Sequence, residues 1–213
     1  MDINLRGGFI EVIAGCMFAG KTEELLRRVR RIEFAKKTIV IFKPTIDNRY
    51  SDNEVVSHNN TRVKSININK STDVYNIIDD NKLPYAIAFD EVQFFDQDVI
   101  KVCDHYASLG VRVICAGLDM DFRGEPFGVM PELLARAEYV TKLNAICQKC
   151  GGIATRTQRL INGKPAGYND PVILVGAKEQ YEARCRLCHE VPGKKWGFRK
   201  SEDLENEWRF KIY

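Results

Sequence analysis

The sequence predicts an α/β fold with a central parallel sheet, followed by a small cysteine-rich unit. Short runs of almost exclusively apolar residues alternate with longer segments that show helical periodicity. Strands that are apolar along their whole length are typical of parallel sheets, because helices cover both faces of such a sheet. The composition changes at Cys147, after which two pairs of cysteines occur. With 213 residues, the chain is long enough for one main domain and one small appendage.

The first elements of the main domain are a strand, a glycine-rich loop and a helix. Residues 9–14 form an apolar run that is typical of a buried strand. The helix after the loop is predicted to be amphipathic, with one apolar face and one arginine-rich face. Such a face can contact nucleic acid, but a chain of near-neutral charge favours a solvated or subunit-contacting face. The apolar face consists of Leu25, Leu26, Val29 and Ile32, and the solvated face of Arg27, Arg28, Arg30 and Arg31.

The rest of the main domain continues the alternation of strands and helices, and the polar stretch over 47–62 is predicted to be a mobile loop or a hairpin. Further strands are predicted over 38–44, 63–68, 85–91 and 111–118, and further helices over 71–79, 97–110 and 131–140. This pattern divides the chain into a main domain over 1–143, a cysteine-rich unit over 144–192 and a tail over 193–213.

The charge and hydropathy of the chain argue against two classes of protein. Lysine and arginine together number 32, and aspartate and glutamate 29, which gives a net charge of +3. This balance is far from the strong positive charge of a protein dedicated to nucleic acid or a membrane surface. No apolar run approaches the ~20 residues that a membrane-spanning helix requires, and the first residues lack the pattern of a secretory signal. The chain is therefore expected to be a soluble, cytoplasmic protein.

The stretch GCMFAGKT over 15–22 has the spacing G-x-x-x-x-G-K-T between a predicted strand and a predicted helix, which is the context that a phosphate-binding loop requires. Backbone N–H groups of such a loop surround an anion, its lysine reaches the β- and γ-phosphates, and its threonine is a ligand of Mg²⁺. A tight turn or a chance match is the alternative. The loop predicts binding of a nucleoside triphosphate through Gly15, Cys16, Met17, Phe18, Ala19, Gly20, Lys21 and Thr22.

Two carboxylates end the strand predicted over 85–91. Asp90 is in the position from which proteins with such a loop hold the metal ion, directly or through water. Glu91 follows it and has two candidate roles. In an ATPase such a glutamate polarises a water molecule, and in a small-molecule kinase it takes the proton of the acceptor hydroxyl. Adjacent carboxylates also commonly precede a helix, and the residues alone leave these alternatives open.

Apolar residues occur in loops where small or polar residues are the rule. Met17 and Phe18 lie inside the phosphate-binding motif, and Phe122 and Phe127 belong to the glycine-rich stretch over 117–128. This stretch follows a predicted strand, at the edge of the sheet where open α/β proteins bind ligands. Aromatic side chains there can enclose a flat ring. Packing of the loop against the core is the alternative.

Seven cysteines in an intracellular chain indicate thiols or metal ligands rather than disulfides. Four of them form two C-x-x-C pairs, and four thiolates make a closed, structural Zn²⁺ site. A redox role would require a strand followed directly by a helix around one pair, which the sequence lacks. We therefore predict one structural Zn²⁺ per chain. Its ligands are Cys147, Cys150, Cys185 and Cys188, and the other cysteines, Cys16, Cys103 and Cys115, are expected to be reduced and buried.

Four motifs, in this order, resemble those of the type II thymidine kinases: GCMFAGKT, FDEVQFF, LDMDFRGEPFG and the two C-x-x-C pairs. The resemblance extends from about Phe9 to about His189. It implies a RecA-like P-loop α/β domain and a small zinc-binding domain that carries a lasso loop. It also implies a homotetramer that transfers the γ-phosphate of ATP to the 5′-hydroxyl of thymidine or deoxyuridine.

By motif position, the resemblance makes Glu91 the proton acceptor and places Asp90 and Gln93 beside the donor phosphates. The stretch YNDPVILVGAKEQYEARCRLC matches the lasso loop that covers the base. The rival interpretation is a RecA-like ATPase or nucleic-acid-binding module whose zinc unit grips a strand. The residues that the resemblance implies for the nucleoside pocket are Met17, Phe94, Leu118, Phe122, Phe127, Thr157, Val172, Leu174 and Tyr181.

Overall fold

The structure of the chain is a computed structural model, which describes residues 7–45, 54–56, 62–172 and 179–195. Strands and helices make up the first two thirds of the chain, and in the main they alternate. In chain order they are β1 (Phe9–Gly15), α1 (Lys21–Phe34), β2 (Ile39–Pro44), β3 (Glu54–Val56), β4 (Arg62–Lys64), β5 (Ile66–Ile68), α2 (Val74–Ile77), β6 (Ala86–Phe89), α3 (Val99–Ser108), β7 (Arg112–Gly117), α4 (Met130–Arg136) and β8 (Tyr139–Leu143).

Six strands of the described part of the chain form one parallel sheet in the order β5-β2-β6-β7-β1-β8. This confirms the predicted α/β fold. β7 lies between β1, which leads into the phosphate-binding motif, and β6, which leads to Asp90. Because the strands run in the same direction, the loops that follow β1, β6 and β7 meet at one edge of the sheet.

Helices cover both faces of the sheet, as the fully apolar strands predict. On one face, α1 packs against strand residues that include Ile13, Ile41 and Ile114. On the other face, α3 and α4 complete the core, which includes the buried thiols of Cys103 and Cys115, with sulfur atoms 3.7 Å apart. Among the described residues, we find no helix that combines the length and the apolar character needed to cross a membrane.

Some elements differ from those that the sequence predicts. The helix expected over 131–140 ends at Arg136, where the backbone of Ala137 becomes extended with ψ 133°. The β-branched and aromatic residues that follow it form β8, which pairs with β1. The helix expected over 71–79 is a 3-10 turn at Ser71–Asp73 followed by the short α2. The polar stretch contains β3, which pairs antiparallel with β4, and residues 46–53 and 57–61 lie outside the described ranges.

The predicted solvated face of α1 contains an exception, because Arg28 is buried. Its Nη1 lies 2.6 Å from Oε2 of Glu11, and its Nη2 donates a hydrogen bond of 2.8 Å to Oγ1 of Thr141. The other carboxylate oxygen of Glu11 lies 2.6 Å from Nε of Arg112. This group of paired charges links α1 to three strands. Periodicity could not predict it, since the partner of Arg28 is a charged residue inside an otherwise apolar strand.

The cysteine-rich segment consists of short antiparallel strands. β9 (Ala145–Ile146) and β10 (Ile153–Ala154) form a hairpin with the first cysteine pair between them. β11 (Arg156–Ile161), β12 (Lys164–Pro165) and β13 (Glu179–Arg184) form a second sheet in the order β12-β11-β13. The second cysteine pair follows β13 directly, so the two pairs approach each other from separate sheets.

Candidate active site

The phosphate-binding motif forms the loop between β1 and α1. A β-carbon at Gly15 would lie 2.5 Å from the carbonyl oxygen of Leu143, so a larger residue does not fit there. Gly20 is the N-cap of α1 and has φ 81°, a left-handed conformation that favours glycine. The first N–H groups of a helix have no partner within the helix and carry its positive dipole end. The loop is therefore shaped to bind an anion.

Lys21 begins α1 and bends back across this loop. Its Nζ donates a hydrogen bond of 3.0 Å to the carbonyl oxygen of Cys16, which keeps the ammonium group within the loop. Cys16 itself is buried, as predicted, and its Sγ lies 3.5 Å from the carbonyl oxygen of Ala154 in the cysteine-rich segment. Phe18 is exposed, with φ 65°. The loop thus offers backbone groups and one lysine to a ligand, while the thiol faces the interior.

Asp90 follows β6 and is buried at the edge of the sheet. Its Oδ2 lies 3.7 Å from Nζ of Lys43 at the end of β2, and its Oδ1 accepts a hydrogen bond of 3.1 Å from the N–H of Glu91. Burial and the negative charge of Glu91 raise the pKa of Asp90 to about 7, although Lys43 and Lys21 oppose the shift. A bound cation would compensate this buried charge, and a carboxylate with the hydroxyl of Thr22 is a donor set that suits Mg²⁺.

Glu91 adopts a left-handed backbone conformation, with φ 52° and ψ 41°. Residues other than glycine rarely adopt this conformation, and such strain is found most often at functional sites. Glu91 is half-buried, and its Oε2 accepts a hydrogen bond of 2.6 Å from Nε2 of Gln93 in the 3-10 turn Val92–Phe94. The turn therefore places a carboxylate with a fixed neighbour at the same edge as the phosphate-binding loop.

The loop after β7 is organised around the buried carboxylate of Asp121. Its Oδ1 accepts hydrogen bonds from the backbone N–H groups of Arg123 and Glu125, at 2.9 and 3.0 Å, and its Oδ2 lies 2.7 Å from the Arg123 guanidinium. A backbone bridge between Met120 and Pro126 closes the loop. Asp121 therefore fixes the backbone that carries the two predicted phenylalanines.

These two phenylalanines have different surroundings. Phe127 is half-buried and makes an edge-to-face contact with Phe94, with ring centroids 5.4 Å apart. Phe122 is buried, and the guanidinium carbon of Arg159 lies 5.1 Å from its ring centroid. Phe94 and Phe127 are thus nearer the surface, and Phe122 lies deeper, against a buried cation.

The cysteine-rich segment reaches the phosphate-binding motif through Thr157 on β11. Its Oγ1 accepts a hydrogen bond of 3.0 Å from the N–H of Met17, so the structure brings these two predicted pocket residues together. Tyr181 lies on the neighbouring strand β13, and Val172 is half-buried beyond β12. The predicted lasso residue Leu174 lies outside the described residues.

The four predicted zinc ligands lie together. Their sulfur atoms are all within 4.8 Å of one another, and those of Cys150 and Cys185 are 3.7 Å apart. Sulfur atoms around a tetrahedral Zn²⁺, with bonds of about 2.3 Å, would lie about 3.8 Å apart, so the cluster has the size that the ion requires. Both pairs lie in tight turns, since the N–H of Cys188 donates to the carbonyl oxygen of Cys185 at 3.2 Å and that of Gly151 to Cys147 at 2.8 Å. These cysteines could hold one structural zinc ion.

His189 connects the second cysteine pair with the loop after β7. It follows Cys188, is buried, and its Nε2 lies 2.8 Å from the carbonyl oxygen of Phe122. Because a carbonyl only accepts, Nε2 carries the hydrogen, and burial lowers the pKa of the ring. Lys194 adds a second link, since its Nζ donates to the carbonyl oxygen of Arg123 at 2.5 Å. The segment after the second cysteine pair therefore supports the backbone at Phe122 and Arg123.

Four residues that shape this site are not among those predicted from the sequence: Lys43, Asp121, Arg159 and His189. A signal for Lys43 was present, because it stands near the carboxyl end of a predicted parallel strand, as Asp90 does. Asp121 also had one, since aspartate commonly accepts hydrogen bonds from the backbone of the turn that follows it. The contacts of Arg159 and His189 join segments that are far apart in the chain, and no local pattern predicts them.

Comparisons with known proteins identify the family. The family model described as "Thymidine kinase" matches residues 8–189. Among solved structures, the Legionella pneumophila ATPase DotB is similar with 15% sequence identity and a TM-score of 0.37, over 61% of this chain and 34% of the ATPase chain. The chain thus spans about a third of the length of that ATPase. The family match extends from β1 to the second cysteine pair and includes every loop of the site. The chain belongs to the thymidine kinase family.

Proposed function

We propose that the chain is an ATP-dependent thymidine kinase. It transfers the γ-phosphate of ATP to the 5′-hydroxyl of thymidine, and also of deoxyuridine, giving the nucleoside monophosphate and ADP in pyrimidine deoxynucleoside salvage. The observation that supports this most is that three loops meet at one edge of the parallel sheet. They are the phosphate-binding loop over 15–22, the turn with Asp90 and Glu91, and the aromatic loop over 117–128. Family membership supports the same function.

The donor side of the site would bind and orient the triphosphate. N–H groups of the loop and the N-terminus of α1 hold the phosphates, and Lys21 neutralises charge on the group that is transferred. Thr22 and Asp90 would hold Mg²⁺, which when bound compensates the negative charge of the phosphates. The burial of Asp90 favours this arrangement, because an uncompensated buried carboxylate is costly.

On the acceptor side, Glu91 is the proposed general base. It takes the proton of the 5′-hydroxyl as that oxygen bonds to the γ-phosphorus, and the bond between the γ-phosphorus and ADP breaks. Phosphoryl transfer depends mostly on positioning and charge neutralisation. The left-handed backbone of Glu91 would therefore contribute to positioning, because it holds the carboxylate at the edge of the sheet where the phosphate-binding loop lies.

The base of the nucleoside would bind between the aromatic loop and the cysteine-rich segment. The hydrogen bond between Met17 and Thr157 supports this arrangement, because it ties the phosphate-binding loop to the segment that would cover the base. The phosphate-binding loop can thus hold the donor and also shape the acceptor pocket. The pocket would be formed by Met17, Phe94, Leu118, Phe122, Phe127 and Thr157, and covered by Val172, Leu174 and Tyr181.

We also propose, from the family resemblance, that the protein is a cytoplasmic homotetramer that binds neither nucleic acid nor membranes. Its P-loop domain would span 1–143, its zinc-binding domain 144–192 and its tail 193–213. Light scattering on the purified protein measures the subunit number, and a monomer would contradict this part of the proposal.

Product analysis tests the proposed function. Incubation of the protein with ATP, Mg²⁺ and thymidine is expected to yield thymidine 5′-monophosphate and ADP in equal amounts, which chromatography and phosphorus NMR can identify. Formation of ADP without an equal amount of the nucleotide product would contradict the proposal.

Deoxyuridine is expected to be a slightly poorer substrate than thymidine, and purine deoxynucleosides are expected not to be substrates. Deoxyuridine lacks only the methyl group that would pack against Met17 and Leu118, and one buried methyl group is worth about 1 kcal/mol, or about fivefold in kcat/KM. A purine would overfill the pocket. Steady-state kinetics with the three nucleosides measures these ratios, and similar kcat/KM values for deoxyadenosine and thymidine would contradict the pocket.

Replacing Lys21 with alanine is expected to lower kcat by about 10² to 10³, because the transferring phosphate loses a charge that the loop holds in place. Lys101→Ala is a matched control, since Lys101 is exposed on α3 and pairs with Asp98. Activity is measured at saturating ATP and thymidine. A Lys21→Ala enzyme with the turnover of the control would show that the loop over 15–22 does not bind the donor.

A further inference from the structure

We propose that Gln93 is a positioning residue, which orients the carboxylate of Glu91 and ties it to the aromatic loop at Leu118, rather than a ligand of the donor phosphates. The proposal rests on the proposed function, in which Glu91 is the general base. It differs from the role that motif position implies for Gln93, which is contact with the donor.

The contacts of the amide group determine its orientation. Nε2 of Gln93 donates a hydrogen bond of 2.6 Å to Oε2 of Glu91, and Oε1 of Gln93 accepts one of 3.0 Å from the N–H of Leu118. An ionised carboxylate only accepts hydrogen bonds and a backbone N–H only donates them. The reversed amide would therefore lose both bonds. The side chain bridges Glu91 and Leu118, and Gln93 is buried, with 3% exposure.

Two glycines of the loop after β7 leave the space that Gln93 occupies. A β-carbon at Gly117 would lie 2.6 Å from the side-chain Oε1 of Gln93. A β-carbon at Gly128 would lie 2.4 Å from the backbone carbonyl oxygen of Gln93. Gly117 immediately precedes Leu118, and Gly128 follows Phe127 at the other end of the same loop. Both ends of the aromatic loop therefore approach Gln93 more closely than any residue larger than glycine would allow.

Glu91 depends on such a partner for its orientation. The backbone of Glu91 has a left-handed conformation, which fixes the start of the side chain. The side chain itself is only half-buried, so packing alone would leave the carboxylate several rotamers. The bond from Gln93 restricts these rotamers, and the second bond makes the position of the carboxylate depend on the position of Leu118. A base that must lie within hydrogen-bond reach of the 5′-hydroxyl gains rate from this restriction.

A double-mutant cycle with Glu91 separates positioning from direct contact with the donor. Gln93→Met keeps the volume of the side chain and removes both hydrogen bonds. We expect it to lower kcat by about 10- to 100-fold, as is typical when the hydrogen-bond partner that orients a metal ligand is removed, with the KM for ATP changed by less than about twofold. In a Glu91→Gln background the same substitution is expected to change kcat by less than about twofold, because no base remains to be oriented.

Gly117→Ala provides a second variant that leaves the amide group of Gln93 in place. The added methyl group would press on Oε1 of Gln93 and on Val92, and we expect a loss of kcat that again disappears in the Glu91→Gln background. Gly167→Ala is the control, because a β-carbon there makes only ordinary contacts, and it is expected to keep full activity. Thermal unfolding of each variant shows whether it is folded at the assay temperature.

Equal losses of kcat in both backgrounds, or a selective rise in the KM for ATP, would overturn the positioning role and favour a phosphate ligand. Full activity of Gln93→Met would overturn it as well. The single variant Glu91→Gln reports on the proposed function separately, since full activity of that enzyme would remove Glu91 as the base whatever Gln93 does.

Discussion

Replacing Glu91 with glutamine is expected to lower kcat by about 10² to 10⁴ while thymidine binding survives. A positioned general base contributes rate enhancement of this order, and glutamine cannot accept the proton of the 5′-hydroxyl. The substitution keeps the size and shape of the side chain, so the left-handed turn and the adjacent phosphate loop are expected to persist. Turnover is measured at saturating ATP and thymidine, and thymidine affinity by calorimetry.

Glu33→Gln is the matched control, because Glu33 is an exposed residue at the far end of α1. Its turnover should equal that of the unmodified protein. If Glu91→Gln also kept full turnover, Glu91 would not be the base. If it lost both turnover and thymidine affinity, the carboxylate would instead be part of the nucleoside pocket.

Loss of the zinc site is expected to have the largest effect on stability. Structural zinc sites contribute roughly 10 to 16 kcal/mol of apparent binding free energy, and the small sheets of this segment bury few apolar residues of their own. Cys185→Ser is therefore expected to abolish zinc binding and to raise the KM for thymidine more than the KM for ATP. Without the metal, the end of the strand pair β11 and β13 next to Cys185 would no longer be anchored. The hydrogen bond between Thr157 on β11 and Met17 would then be lost.

Leu187→Ser is the control for this variant, because Leu187 lies in the same turn between the cysteines and is 91% exposed. It should retain one zinc per chain and full activity. Metal analysis and thermal unfolding are measured for both variants and for the unmodified protein after treatment with a chelator, which covers the case that Cys185→Ser does not fold. Active, stable protein without bound metal would contradict a structural role for zinc.

Much of the fold could be predicted from the sequence, because strong local patterns specify it. The apolar runs predicted the parallel strands, and the central sheet confirms them. The edge strand β8 was missed because the apolar residues of 131–140 continue a helical pattern past Arg136, where the chain becomes extended. The predicted solvated position of Arg28 is wrong, because the burial of this arginine depends on Glu11, which is a neighbour in space and not in sequence.

The site was predictable to the extent that its residues belong to compact motifs. The loop over 15–22 and the two cysteine pairs have spacings that correspond directly to geometry, and the four sulfur atoms do lie together. The supporting contacts were not predictable. Arg159 beneath Phe122 and His189 at the Phe122 carbonyl depend on how β11 and the last cysteine turn approach the aromatic loop. The bridging role inferred for Gln93 likewise becomes visible only when Leu118 is placed beside it.

A coupled assay of ADP release is the most direct test of whether the chain phosphorylates thymidine. The protein is supplied with ATP and Mg²⁺ and then with thymidine, with single-stranded DNA, or with neither. We predict ADP release only when thymidine is present, with one ADP formed for each thymidine consumed. Release that DNA stimulates and thymidine does not, together with DNA binding that weakens steeply as salt is raised, would contradict the kinase and indicate a DNA-dependent ATPase.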